Sequence, residues 1–115
     1  MLWPNKDGEL TAFLRWLTLT HAQRWKQAHA AVGHGHLYQG RFKSFPIQAD
    51  DHLLTVLRYV ERNPLRANLA ARAEDWPWSS LHPARSVPRL DAGPASRGAG
   101  WVEFVNAAMT EAECI

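Results

Sequence analysis

Cysteine is nearly absent from this sequence, since Cys114 is the single one among 115 residues. One thiol excludes a disulfide within the chain and any zinc site built from several cysteines. Small secreted domains commonly depend on disulfides, so this scarcity favours a reducing compartment, and we expect a cytoplasmic protein.

Long hydrophobic runs are also lacking, and none is long enough to span a bilayer. The first residues do not combine a basic stretch with an apolar one, which excludes the pattern of a secretory signal. We therefore expect no membrane partner. Hydrophobic residues nevertheless make up 46% of the chain and include six tryptophans. That content suits one small folded domain rather than a disordered chain.

Net charge is low, at +2, but it is unevenly distributed. Basic residues concentrate in the middle of the chain: Arg15, Arg24, Lys26, Arg41, Lys43, Arg58, Arg62 and Arg66. A basic middle with many aromatic residues is typical of nucleic-acid binders. An ordinary solvated face would have the same composition, so charge alone leaves both interpretations open.

The clearest periodic segment runs from Asp51 to about Arg62 and predicts a helix. Its apolar residues recur at helical spacing: Leu53, Val56, Leu57 and Val60. On that helix Tyr59 shares an edge of the apolar face with Asn63, and Arg58 and Arg62 point further outward. Such a tyrosine is either a nucleophile for a phosphate backbone or a core tyrosine with its hydroxyl in water.

Two further helices are predicted on either side of this segment. The first runs from Glu9 to about Ala30, and its apolar stripe predicts a packing helix: Leu10, Phe13, Leu14, Leu17 and His21. The second runs from Pro64 to about Arg72, with Leu65 and Leu69 buried. Asn63 is expected to cap it, because proline is favoured at the first helical position.

The connection between the first two helices is rich in glycine and histidine. His34 and His36 would share one side of a strand, where a metal could use them, but Gly35 and its flanks are typical of a loop. A contact with phosphate is the better functional interpretation there.

The residues from Arg41 to Gln48 alternate and predict a strand, with Arg41 and Lys43 on one face. Together with Tyr38, these cations would suit a sugar–phosphate backbone. A strand edge protected from aggregation by charge explains the same pattern equally well.

The C-terminal third changes composition. Residues 83–100 are rich in Pro, Ala, Gly, Ser and Arg, which predicts a flexible linker. In the C-terminal segment, residues 101–115, an apolar pattern with Phe104 and Val105 runs from Trp101 to about Glu113 and predicts a short docked helix.

Several stretches together resemble a known family, the REP-associated tyrosine transposases, which are single-domain relatives of the HUH transposases. The resembling stretches are Leu17–Trp25, Gly35–Ser44, Arg58–Ala67, Ala73–Ser80, Trp101–Asn106 and Thr110–Glu113. The resemblance implies an α+β fold, a ferredoxin-like sandwich with an antiparallel sheet. Residues 1–82 would be the C-terminal part of the catalytic domain, with Met1–Pro4 as the end of a strand and the family's N-terminal strand and helix missing.

The resemblance also implies a chemistry, the cleavage and rejoining of single-stranded DNA at hairpin repeats. Tyr59 matches the family's nucleophile, which forms a 5′-phosphotyrosine. Asn63 matches a polar residue that helps to hold a divalent metal, Mg²⁺ or Mn²⁺. The expected DNA contacts are His36, Tyr38, Arg41, Lys43, Arg58, Arg62 and Arg66.

One departure from the family pattern leads to an alternative to the transposase function. The family has a histidine–hydrophobic–histidine pair ahead of a strand that ends like Leu2-Trp3-Pro4, and this chain lacks the pair. His34-Gly35-His36 does not replace it, because its middle residue is not hydrophobic. We therefore expect a chain truncated at both ends, with a catalytically inactive DNA-binding remnant as the alternative to an active transposase.

Overall fold

The computed structural model describes residues 1–30, 33, 35–84 and 90–108. Its helices, in chain order, are α1 (Glu9–Ala28), α2 (Asp51–Glu61), α3 (Asn63–Arg66), a 3₁₀-helix (Ala73–Asp75) and α4 (Trp101–Asn106). The chain divides into two compact units, which we call the first unit (residues 1–45) and the second unit (residues 46–115). Among the described residues, no helix has the length and apolar character needed to cross a membrane.

The expected ferredoxin-like α+β sandwich with an antiparallel sheet is wrong, because the described residues are helical and contain no β-strand. The stretch from Arg41 to Gln48, predicted as a strand, has no regular secondary structure, and neither does Met1–Pro4. A strand needs a neighbouring strand for its backbone hydrogen bonds, and the described part of the chain offers none. The alternation of residues along Arg41–Gln48 was therefore not sufficient to form a strand.

The first unit contains α1, which begins at the predicted Glu9 and ends at Ala28, two residues before its predicted end. Gly8 precedes the helix with a φ of 85°, and the Glu9 carboxylate accepts backbone hydrogen bonds from Asn5 at 2.8 Å and Lys6 at 3.1 Å. The prediction of a packing helix is wrong, since α1 has no buried residue. Phe13 and Leu17 remain about 40% exposed, because no second helix in the described part of this unit covers them.

In the second unit, α2 begins as the sequence predicts. The Asp50 side chain accepts a hydrogen bond from the backbone N–H of His52 at 2.9 Å, a typical N-terminal cap. Leu53 is only 4% exposed and anchors the apolar face. The helix ends at Glu61, one residue before its predicted end.

The third helix is shorter than predicted. It ends at Arg66 instead of Arg72, because Asn68 adopts a left-handed φ of 54° and the Leu69 N–H turns back to the Pro64 carbonyl at 2.9 Å. Leu69 is consequently 59% exposed, so its predicted burial is wrong. Asn63 is the first helical residue, and its side chain does not act as the expected cap.

The short docked helix predicted after the linker is confirmed at Trp101–Asn106, which is α4, and residues 109–115 lie outside the described residues. It packs against α2 and the 3₁₀-helix, and Val105 is fully buried. The Asn106 side chain accepts a hydrogen bond from the Ala73 backbone N–H at 2.9 Å and donates to Glu74 at 2.8 Å. These bonds fasten the end of α4 to a segment more than thirty residues earlier in the chain.

Candidate functional site

Tyr59 lies on α2 with 40% of its surface exposed. The Arg66 guanidinium covers one face of its ring, with Cζ 4.7 Å from the ring centroid. The near-continuous turn from α2 into α3 permits this contact, because the Arg62 carbonyl accepts the N–H groups of Leu65 and Arg66. A cation over the ring orients it and places positive charge beside the phenol. The arrangement suits an anionic ligand such as a phosphodiester.

Asn63 lies one turn beyond Tyr59 and is exposed. Its backbone carbonyl accepts a hydrogen bond from Ala67 at 3.0 Å, and no hydrogen bond of its side chain occurs among the described residues. Three or more His, Cys, Asp or Glu side chains do not converge anywhere in that part of the chain. Asn63 therefore has no cluster of such side chains around it in the described part of the chain. His34 lies outside the described residues, and so does the less favoured possibility of a metal held by His34 and His36.

Arg58 and Arg62, predicted to point outward, instead contact α4. Arg58 is 3% exposed, its Cζ lies 4.0 Å from the Phe104 ring centroid, and Nη2 donates to the Ala107 carbonyl at 3.1 Å. Arg62 Nη1 donates to the Val105 carbonyl at 2.7 Å. The outward orientation is wrong because α4 docks where solvent was expected. These two guanidinium groups stabilise the second unit, and Arg66 is the exposed arginine beside Tyr59.

Sequence reasoning missed Glu61, which is 5% exposed at the end of α2. Its carboxylate accepts hydrogen bonds from Ser80 Oγ and Trp101 Nε1, both at 2.7 Å, and forms an ion pair with Arg97 at 3.2 Å. One signal was present in the sequence: the dipole of a helix disfavours an acidic residue in its last turn. A glutamate there indicates that partners from elsewhere neutralise it.

A second charged group joins the 3₁₀-helix to α4. Arg72 forms ion pairs with Glu74 at 2.5 Å and Glu103 at 2.7 Å, and hydrogen bonding to these carboxylates raises the pKa of Arg72. Burial tends to raise the pKa of Glu74, but hydrogen bonds from Asn106 and Arg72 outweigh it and lower that pKa overall. The carboxylate of Glu74 is thus held in its charged form.

The remaining predicted residues, His36, Tyr38, Arg41 and Lys43, belong to the first unit and are all exposed. A hydrogen bond of 2.6 Å joins Tyr38 Oη to His21 Nδ1. The structure adds a cavity that the sequence did not predict, which we call the first-unit cleft. It has a volume of about 610 Å³ and is lined by Thr11, Arg15, Thr18, Tyr38, Gln39, Gly40, Arg41 and Phe42.

The predicted residues of the first unit do not all line this cleft. Tyr38 and Arg41 line it, and His36 lines an adjoining cavity of about 580 Å³ that also includes Tyr38. Lys43 lines neither. Arg15 and Phe42 were not predicted as site residues, and only the fold brings them to one cavity.

Comparison with known proteins adds no relative. No protein-family model matches the chain, and no curated protein or solved structure matches it either. The functional assignment therefore rests on the chain's own residues and on the resemblance described above.

Proposed function

We propose that this chain belongs to the class of tyrosine transposases and cleaves and rejoins single-stranded DNA at hairpin repeats. The observation that carries the proposal is the exposed Tyr59 ring beneath the Arg66 guanidinium. Both residues lie within Arg58–Ala67, a stretch that resembles the REP-associated family around its nucleophile. The scarcity of cysteine favours a cytoplasmic location for such an enzyme.

The proposed step transfers a DNA strand to the tyrosine. Tyr59 Oη attacks the phosphorus of a phosphodiester, forming a Tyr–O–P bond as the bond to the 3′ oxygen breaks. The phenolic proton passes to solvent, and the departing oxygen takes a proton to become a 3′-hydroxyl. Arg66 would stabilise the charge on the phosphoryl oxygens. Rejoining is the reverse attack by a 3′-hydroxyl, which restores the tyrosine.

The resemblance implies Mg²⁺ or Mn²⁺ for this chemistry. Asn63 would be the residue to hold such an ion, and no step above is routed through a metal. Divalent ions are instead a variable of the experiment.

The test is covalent capture of a labelled single-stranded hairpin oligonucleotide, with Mg²⁺, with Mn²⁺ and with EDTA. We expect a protein–DNA adduct on a denaturing gel that Tyr59→Phe abolishes. The chain has only two tyrosines, so Tyr38→Phe, which keeps the ring that lines the first-unit cleft, is the matched control and should still form the adduct at saturating DNA. Arg66→Ala should reduce the rate of adduct formation at least about tenfold, since it removes the cation beside the attacking group.

A second candidate is a protein that binds the same DNA without cutting it. It is supported by exposed aromatic and basic side chains such as Tyr38, Arg41 and Phe42, which suit the binding of a single strand. Binding without an adduct under every ionic condition would support this candidate and contradict the first. An adduct that survives Tyr59→Phe would contradict the assignment of Tyr59.

A further inference from the structure

The first-unit cleft combines the side chains of one helix face with those of an irregular segment. Thr11, Arg15 and Thr18 lie on α1 at spacings of four and three residues, which places them on one face of the helix. The opposite wall is formed by residues 38–42. Two of the lining residues are arginines and none is acidic, so the lining carries a net positive charge.

The two arginines of the cleft are available to a ligand. Arg15 and Arg41 are both exposed, and among the described residues neither guanidinium takes part in a salt bridge. Arginine presents a planar fork of N–H donors that matches the oxygens of a phosphate. Two such groups around one cavity fit a backbone that carries repeated phosphates.

The two aromatic rings of the cleft offer stacking surfaces. Tyr38 is 46% exposed and Phe42 is 41% exposed, and the hydrogen bond to His21 fixes the position of the Tyr38 ring. Gly40 turns the chain between them with a φ of 76°, a conformation that a side chain disfavours. Exposed rings beside cations are the elements with which proteins hold unpaired bases.

We propose that the first-unit cleft binds a single strand of DNA, with phosphates at Arg15 and Arg41 and a base stacked on Phe42. This inference rests on the proposed function for the identity of the nucleic acid and adds to it a binding surface away from Tyr59 in the sequence. A duplex does not suit the cleft, because its bases are paired and stacked on one another and their faces are not accessible.

The first test measures the salt dependence of binding by fluorescence anisotropy, using the full chain and a fluorescein-labelled oligothymidylate. Arg15→Ala should reduce the slope of log K against log salt by about 0.7, the value for one lost contact with a single-strand phosphate. Arg24→Ala is the matched control, because it removes the same charge from α1 about 180° around the helix from Arg15. Arg24→Ala should leave the slope unchanged, and equal slopes for the two variants would overturn the proposal.

The second test measures stacking. Phe42→Ala should weaken binding about tenfold, whereas Phe42→Trp should preserve it. Phe45→Ala is the matched control, since Phe45 is 81% exposed and does not line the cleft. Circular dichroism of each variant verifies that helix content is retained. Equal affinities for Phe42→Ala and Phe45→Ala, with helix content intact, would contradict the stacking role.

Competition identifies the form of nucleic acid. An unlabelled oligothymidylate should displace the probe, and a blunt duplex or free thymidine monophosphate at the same nucleotide concentration should not. Displacement by either would overturn the single-strand assignment.

The covalent assay separates this proposal from the preceding one. An adduct that forms equally in Arg15→Ala and Phe42→Ala, with unchanged binding, would refute the cleft and leave Tyr59 as the nucleophile. Binding that depends on the cleft without any adduct would support the cleft and refute cleavage.

Discussion

The two units of this protein use their helices in opposite ways. In the first unit, α1 is the longest helix, with 20 residues, and none of them is buried. In the second unit the helices are shorter, yet they bury Leu53, Arg58, Glu61 and Val105. The length of a helix therefore does not indicate how many of its residues are buried. The first unit leaves its aromatic and basic side chains exposed, while the second unit uses Arg58, Arg62 and Trp101 for its own cohesion and leaves Tyr59 and Arg66 exposed.

Buried polar groups explain much of this difference. A carboxylate or guanidinium removed from water requires partners in defined positions, so it admits few alternative arrangements. Glu61 and Arg58 each bind residues of the C-terminal segment. We infer that these contacts determine where α4 docks. Apolar contact alone would specify that position less strictly, because it is not directional.

The largest expected effect of a substitution is that of Glu61→Ala. Removing the carboxylate leaves the Trp101 N–H and the Ser80 hydroxyl without their acceptor and breaks the ion pair with Arg97. We expect the second unit to lose about 3 kcal/mol of unfolding free energy. Hydrogen exchange of the α2 amides measures this loss on the whole chain.

Glu9→Ala provides the control for Glu61→Ala in the first unit. The Glu9 carboxylate accepts two backbone hydrogen bonds, but it is exposed, and we expect a loss of no more than about 1 kcal/mol. Similar losses of unfolding free energy for Glu61→Ala and Glu9→Ala would contradict the contrast between a buried carboxylate in the second unit and an exposed one in the first.

The next largest effect is expected for Arg58→Ala, which removes the contact with Phe104 and the hydrogen bond to the Ala107 carbonyl. We expect a loss of about 2 kcal/mol, again seen in exchange of the α2 amides. Arg66→Ala removes the same side chain from an exposed position of this unit and should cost less than about 0.5 kcal/mol. A cost for Arg66→Ala that matched that of Arg58→Ala would contradict the division between an anchoring and a functional arginine.

The smallest effect is a pH dependence due to Glu74. Because the folded state lowers its pKa below the ordinary 4.5, Glu74 contributes stability above that pH and loses it as the pH falls through the lowered value. Acid urea titrations of the chain and of Glu74→Gln should therefore converge at the lowest pH. A difference in stability that stayed constant from neutral to acid pH would refute this account.

Local signals in the sequence predicted the helices better than the strand. Asp50 marked the start of α2 because an aspartate at that position can bond the free N–H groups of the first turn. The side chains from Arg41 to Gln48 alternate between two faces, as those of a strand do. This alternation does not provide the neighbouring strand with which a strand must form its backbone hydrogen bonds. The early end of α3 was missed because the left-handed Asn68 resembles any other polar helical residue in sequence.

Sequence by itself determined where α1 and α2 begin, at Glu9 and Asp51, and it came within two residues of where they end. Tyr59 and Arg66 are close in the sequence, on either side of the break between α2 and α3, so their contact is local. Tertiary structure alone decided which arginine is buried and which is exposed. Arg58 and Arg66 are both arginines and lie eight positions apart. Only the docking of α4, which begins more than forty residues after Arg58, covers Arg58 and leaves Arg66 in water. Such a choice depends on contacts between distant parts of the chain, which no local pattern encodes.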